Sequence, residues 1–244
     1  MIIAFLLQRQ IPYIVRKSQK AKKQRIIISH SGIEIVIPSK ARAKVSANFV
    51  AEHEEWIVKN WQKRRTINHE YDMPSEFKNN CNIPYQGKLY KLQISREDII
   101  IPKIDFLDFF SIQFPHHFKT EIYELEIKKL YQKFLKQELQ NKSEIYLKKL
   151  TSETGILVNN LKIRTQQTRW GSCSSKGNIN LNFNLIFAQR EVLEYVIIHE
   201  FCHLKHPNHS PEFWQMVHSL CPNYKAHKKW LTTNQHIINF ATRL

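Results

Sequence analysis

Two histidines four residues apart, with a glutamate directly after the first, constrain this chain more than any other feature. They open the stretch His199-Glu200-Phe201-Cys202-His203-Leu204-Lys205-His206-Pro207-Asn208-His209. In a helix, residues four apart share a face and are separated by one turn, about 5.4 Å. Both imidazoles then aim at one point, and H-E-x-x-H is the helical zinc-binding pattern that carries its own general base. Glu200 stands one residue round from His199, placed for a water on the metal rather than for the metal itself. With 12 histidines in 244 residues, composition alone produces the pattern only about 0.04 times by chance. The run Val192-Leu193-Glu194-Tyr195-Val196-Ile197-Ile198 before it is apolar enough for a buried helix, expected over about residues 190–206. The competing reading, a helix with two incidental histidines, has to overcome both observations.

Catalytic zinc takes three protein ligands and keeps one position for water, so a third donor is required. His206 is seven residues past His199 and shares its face, but it lies about 10 Å along the axis, too far to share one ion. His209 follows Pro207-Asn208, a pair that stops a helix and turns the chain. That turn returns His209 towards the metal, and His209 is the expected third ligand. His206 is expected to be exposed near the helix C-terminus, where it suits the dipole.

Charge bears on the partner. The net charge is +16, and residues 1–65 hold fourteen Lys and Arg against four Glu. Such a patch fits nucleic acid, a nucleotide or another anionic surface, and it fits a solubilising face equally well. The hydrophobic content of 42% supports a folded core in one domain or two small ones. Cys81, Cys173, Cys202 and Cys221 are scattered without a C-x-x-C pair, which speaks against a zinc ribbon and a disulfide framework and for a reducing, cytoplasmic location. Residues 1–7 are apolar but too short to cross a bilayer and lack the flanks of a secretion signal, so a terminal strand or partner-facing arm is expected and no membrane span. The sequence does not set the oligomeric state.

The patterning reads as α+β. Residues 1–115 form a basic, mostly β region. It contains a hairpin of Ile26-Ile27-Ile28 and Ile33-Glu34-Ile35-Val36-Ile37 closed by Ser29-His30-Ser31-Gly32. A helix follows from an N-cap at Ser46 to about residue 65, with Phe49, Trp56 and Ile57 inward. Residues 67–82 read as a linker or surface loop, 85–94 as a strand with Tyr90, Leu92 and Ile94 alternating, and 99–114 as one or two more strands. Residues 116–244 form the second domain. Its long helix places Tyr123, Ile127, Leu130 and Phe134 on one face and ends at Thr154-Gly155. Strands follow at 161–164 and 179–187, the latter alternating Ile179, Leu181, Phe183 and Leu185 with Asn180, Asn182 and Asn184. Between them, residues 168–177 form a loop whose glycines allow tight geometry. Ser210-Pro211 opens a helix bearing Phe213, Trp214 and Val217, and one or two helices complete the chain.

Arg169-Trp170-Gly171-Ser172-Cys173, Asn180-Leu181-Asn182, and residues 199–209 followed by Ser210-Pro211-Glu212-Phe213-Trp214 resemble the YgjP-like zinc metallopeptidase family, which is related to the SprT and WLM metallopeptidases. The resemblance extends more weakly to Ile11-Pro12-Tyr13, Arg16 and the basic hairpin. It implies zinc ligands at His199, His203 and His209, Glu200 as general base, and a zincin-like catalytic domain. Metzincins share the spacing to His209, but their glycine is His206 here and Met216 falls in an expected helix, so the YgjP-like assignment is preferred.

The chemistry expected is hydrolysis of a peptide or protein by a zinc-bound water that Glu200 activates. A second donor for the developing oxyanion is required; Arg169, His218, Tyr224 and His227 qualify by residue type only. The edge of strand 179–187 could pair with an extended peptide. One rival reading is a metal-dependent nucleotide or phosphoanhydride hydrolase, since zinc hydroxide also attacks phosphorus and +16 suits an anionic substrate. Against it, no phosphate-cradling glycine loop and no carboxylate cluster for magnesium are present. Another is a DNA-associated metalloprotease docking through its basic half, which steep salt dependence of DNA binding would reveal. A purely structural zinc is disfavoured, because three histidines leave a coordination position open.

Overall fold

The computed structural model describes residues 2–5, 11–29, 32–41, 43–68, 73–119 and 122–244. The chain divides into two compact units, residues 1–70 and 71–244, and each has its own hydrophobic core. The boundary drawn at residue 115 from composition therefore falls inside the second unit.

In the first unit, β1 (Ile2–Phe5), β2 (Pro12–Ser18), β3 (Arg25–Ser29) and β4 (Gly32–Pro38) form a sheet in the order β1-β2-β4-β3. The isoleucine-rich runs pair antiparallel, with Ser29 opposite Gly32; His30 and Ser31 of the expected loop lie outside the described residues. The single helix expected after Pro38 is two, α1 (Ala43–Glu52) and α2 (Glu54–Asn68). Helix begins at Ala43, so Ser46 is interior to it rather than its cap, and the side chain of Ser46 is outside the described residues. The break falls at His53, whose N–H donates to Val50 O (3.1 Å) while its Nδ1 approaches Phe49 O (2.8 Å). Restarting at Glu54 turns Ile57 and Val58 into the core and leaves Trp56 52% exposed, against expectation.

The second unit opens with β5 (Asn82–Tyr85), β6 (Lys88–Glu97), β7 (Lys103–Phe106) and β8 (Phe110–Pro115), ordered β5-β6-β8-β7. The strand expected at 85–94 is interrupted by a two-residue turn, Gln86-Gly87, with φ of 47° and 77°, the left-handed pair of a tight hairpin. This sheet packs on α3 (Tyr123–Thr154) through Tyr131 against Phe110 (ring centroids 5.3 Å apart). That shared core is why no boundary falls at 115. Met73 and Phe77, from the stretch read as a linker, are buried in the same core.

The inner face of α3 is Ile127, Tyr131, Leu135, Leu139, Ser143, Leu147 and Leu150. Leu130 and Phe134 flank this stripe and are only partly buried. Gly155 caps the helix at φ 73°, its N–H donating to Thr151 O, as the sequence implied.

The site is framed by a three-stranded sheet of β9 (Asn160–Arg164), β10 (Gly171–Cys173) and β11 (Asn178–Asn182), ordered β10-β11-β9. The strand expected to reach residue 187 stops at Asn182, and Phe183–Phe187 coil into a 3-10 turn. Buried amides without partners are costly, and the turn supplies the partners. Asn182 Nδ2 donates to Gln166 O (2.7 Å) and Arg169 O (2.8 Å), and its Oδ1 accepts from Asn184 N (3.0 Å). Asn184 Nδ2 donates to Ile238 O (2.9 Å) and its Oδ1 accepts from Ala241 N (2.7 Å). The chain continues with α4 (Arg190–Cys202), α5 (Pro211–Leu220), α6 (Tyr224–Thr233) and a 3-10 segment, Gln235–Arg243. Among the described residues no helix is long and apolar enough to cross a membrane.

Candidate active site

Helix α4 is the most buried helix of the second unit, with Val192, Leu193, Tyr195, Val196, Ile197 and Ile198 all inside. This run fixes where its last turn points. The helix ends at Cys202 rather than near residue 206, with His203 at its C-cap. Leu204 N–H donates to Phe201 O (3.0 Å) and Lys205 N–H to Cys202 O (3.2 Å), a tightening typical of helix ends.

In that tightened turn the His206 carbonyl lies 3.1 Å from His203 Nδ1. A carbonyl only accepts, so Nδ1 carries the proton and the Nε2 lone pair of His203 is left for a cation. His206 thus contributes its backbone, not its ring.

After Pro207-Asn208 the chain brings His209 back, its Nε2 3.0 Å from His199 Nε2. One ligand nitrogen from each of His199, His203 and His209 lies within 4.8 Å of the others. Helix α5 holds two of these rings. Ser210 caps it by accepting from Phe213 N, which puts Phe213 and Trp214 in the first turn, directly after His209. Phe213 stacks on His203 (4.6 Å, 29°) and Trp214 on His209 (5.6 Å, 22°). Sequence reasoning assigned these aromatics only to a helix; the adjacency of the Ser210-Pro211 cap to His209 was the available signal.

Glu200 is 6% exposed and lies against β10. A Cβ on Gly171 would sit 2.7 Å from Glu200 Oε1, so Gly171 serves by lacking a side chain, and its φ is not left-handed. Burial pushes the Glu200 carboxyl up to about 7, and the Arg169 charge pulls the other way. Burial, with His203, His209 and Lys228 nearby, pushes His199 down to about 4. His209 is lowered by burial and by His203 and Lys228.

These groups open onto a cleft of about 780 Å³ lined by β10, the three histidines, Glu200, Arg169 and Leu204. Of the four residues named for an oxyanion, Arg169 lines this cleft, whereas Tyr224, His227 and His218 do not. Tyr224 instead stacks on Trp214 (5.2 Å, 22°), His218 stands edge-on to Tyr224, and His227 lies beside Tyr195. Cys173 also lines the cleft, its thiol pushed up to about 11 by burial and by Glu200.

A family model described as YgjP-like, metallopeptidase domain, matches residues 22–234. The chain belongs to the YgjP-like metallopeptidases. Among solved structures, this YgjP-like chain is similar to the crystal structure of the metallopeptidase zymogen of Pyrococcus abyssi abylysin, at 26% identity over 38% of this chain and 93% of that one, with a TM-score of 0.36. It is also similar to that of Methanocaldococcus jannaschii jannalysin, at 20% identity over 38% and 94%, with a TM-score of 0.31. A search of curated proteins gives no match.

A YgjP-like metallopeptidase is a metal-dependent hydrolase of protein or peptide, so its donors must suit a metal. The Nε2 atoms of His199 and His209 lie 3.0 Å apart, and burial pushes His199 towards the neutral imidazole that a metal requires. Three neutral imidazoles that converge one nitrogen each are a donor set suited to a divalent cation. The donor set fits.

Proposed function

We propose that this YgjP-like metallopeptidase is a zinc peptidase of zincin-like architecture, in which His199, His203 and His209 hold the ion and Glu200 is the general base. The observation that carries this reading is the convergence of three imidazole nitrogens within 4.8 Å, beside a buried carboxylate at the foot of an open cleft. Zinc bound there would supply Lewis acidity, polarising the scissile carbonyl and bringing the pKa of water towards ~7. Glu200 takes the proton from the attacking water and returns it to the leaving amine. Burial raises the proton affinity of this carboxyl when no metal is bound, which suits a group that must both take and return a proton. Gly171 keeps the wall of the cleft from displacing it.

The peptide is aligned by β10, not by the strand named from sequence. β11 is central and paired on both sides, whereas β10 is an edge. Asn182 N–H donates to Trp170 O and Ser174 N–H to Asn178 O. In an antiparallel ladder such pairs alternate, so the N–H and C=O of Gly171 and Cys173 point away from β11. An extended substrate adds to that edge as a strand. Four free cysteines favour a reducing compartment, and we assign the enzyme to the cytoplasm.

Metal analysis and peptide hydrolysis on wild type, Glu200→Gln, His209→Ala and His206→Ala test the reading together. Glu200→Gln should keep one zinc per chain and lose about 10²–10⁴ in kcat. His209→Ala should lose zinc far more readily than His206→Ala. Full activity in Glu200→Gln, or the reverse order of metal loss, would sink these roles.

A further inference from the structure

The cleft is chemically polarised along β10. Gly171 marks its middle, because this residue lies against the Glu200 carboxyl. Arg169 lines the cleft two residues upstream, just before β10 begins. It is the one lysine or arginine among the described residues that line the cleft. Arg169 is exposed, and among the described residues no carboxylate forms an ion pair with it.

Downstream of β10 the wall turns apolar. Ile156, Leu157 and Leu204 line that end, and Leu157 is 78% exposed. Asn159 N–H donates to Gly177 O (2.9 Å), and a Cβ on Gly177 would lie 3.6 Å from Leu204 Cδ2. These contacts tie residues 156–159, the turn after β10 and the end of the metal-site helix into one corner. A leucine left exposed among apolar neighbours inside a cleft is covered favourably by another apolar group.

We propose that the cleft selects extended peptides by two marks placed on opposite sides of the scissile bond. One is a large aliphatic or aromatic side chain seated against Ile156, Leu157 and Leu204. The other is a carboxylate read by Arg169, from an acidic side chain or from the peptide's own C-terminus. This inference rests on the peptidase reading of the same site. Strand addition to β10 supplies register without sequence preference, because it uses main-chain groups alone. Discrimination then falls to the two ends of the cleft.

The test pairs cleavage of a fluorogenic peptide library by zinc-loaded wild type with anisotropy measurement of uncleaved peptides on Glu200→Gln. Both readouts should favour Leu or Phe over Ser on one side, and Glu over Gln on the other, by at least about tenfold. Free and amidated C-termini separate the two sources of the carboxylate: loss of preference on amidation assigns it to the terminus, and its survival to a side chain. Arg169→Glu should turn the preference from Glu to Lys, and Leu157→Glu should abolish the apolar preference while leaving the charge preference. A flat cleavage profile overturns the inference while leaving the peptidase reading intact. A uniform loss on all peptides in Arg169→Glu also overturns it, since that residue would then serve the reaction rather than the choice of substrate. Selective binding by Glu200→Gln with no cleavage by wild type would sink the peptidase reading and keep the two-mark cleft. Neither binding nor cleavage would sink both.

Discussion

Glu200 is held in a place where its charge is costly, and that has a measurable sign. Its folded pKa of about 7 exceeds the ordinary 4.5, so in metal-free protein it favours folding below pH 4.5 and this contribution is lost as pH rises through 7. His199 runs the other way: its pKa of about 4 lies below 6.5, so its contribution is present above pH 6.5 and lost as pH falls through 4. Comparing metal-free Glu200→Gln with metal-free wild type cancels the histidine. Their stability difference should move in favour of the glutamine variant by about 3 kcal/mol between pH 4 and pH 8. Denaturant melts after chelation measure it, and a pH-independent difference would contradict the burial argument. Gly171 is the companion test. Gly171→Ala places a methyl group 2.7 Å from Glu200 Oε1, so kcat should fall by at least about tenfold with zinc content unchanged. An alanine variant with wild-type kcat would show that the carboxyl tolerates displacement. The motif showed which residues would meet, but not Gly171's role, because a glycine needed for space looks the same in sequence as one needed for a turn.

At the scale of elements, local pattern succeeded where one rule governed and failed where two competed. Ser210-Pro211 and Gly155 act through their neighbours alone, and both caps are as expected. Strand β11 was overextended because Phe183 and Leu185 keep the alternation, while the partners of Asn182 and Asn184 come from residues as distant as Ile238 and Ala241. Likewise the break at His53 carries neither Gly nor Pro, so nothing local announced it. The third histidine was legible because Pro207-Asn208 forces a turn; the aromatic platform under it was not, since stacking is a tertiary fact. The Gln86-Gly87 turn gives an element-scale test. Both N–H groups donate to the 3-10 turn before α4, at Ile186 O and Phe187 O, and a Cβ on Gly87 would sit 2.5 Å from Gln189 Cγ. With φ at 77° the position is strained for alanine as well. Gly87→Ala should cost about 1–3 kcal/mol in denaturant unfolding; a neutral result would mean that the hairpin does not brace the start of α4.

For the whole molecule, the division at residue 70 separates the basic first unit from every residue assigned to the chemistry. Composition placed the boundary at 115 because strands and charge were read together, whereas burial assigns β5–β8 to the core of α3 and α4. Zinc held as proposed by His199, His203 and His209 would cross-link the end of α4 to the segment leading into α5, so chelation should lower one calorimetric transition and spare the other. At zinc a thousandfold above Kd the stabilisation is about 4 kcal/mol. Equal shifts of two transitions, or none, would count against a site confined to residues 71–244. The buried asparagine pair carries a further consequence for the chain's other extremity. Asn184 is bonded to main-chain groups of the last 3-10 segment, and Phe240 there packs on Phe187 (5.4 Å). Deletion of residues 235–244 would strip a buried amide of two partners and uncover Phe187 directly before the helix that bears His199 and Glu200. The Gln235–Arg243 segment is in effect a stopper, and a chain lacking it should precipitate before it merely slows.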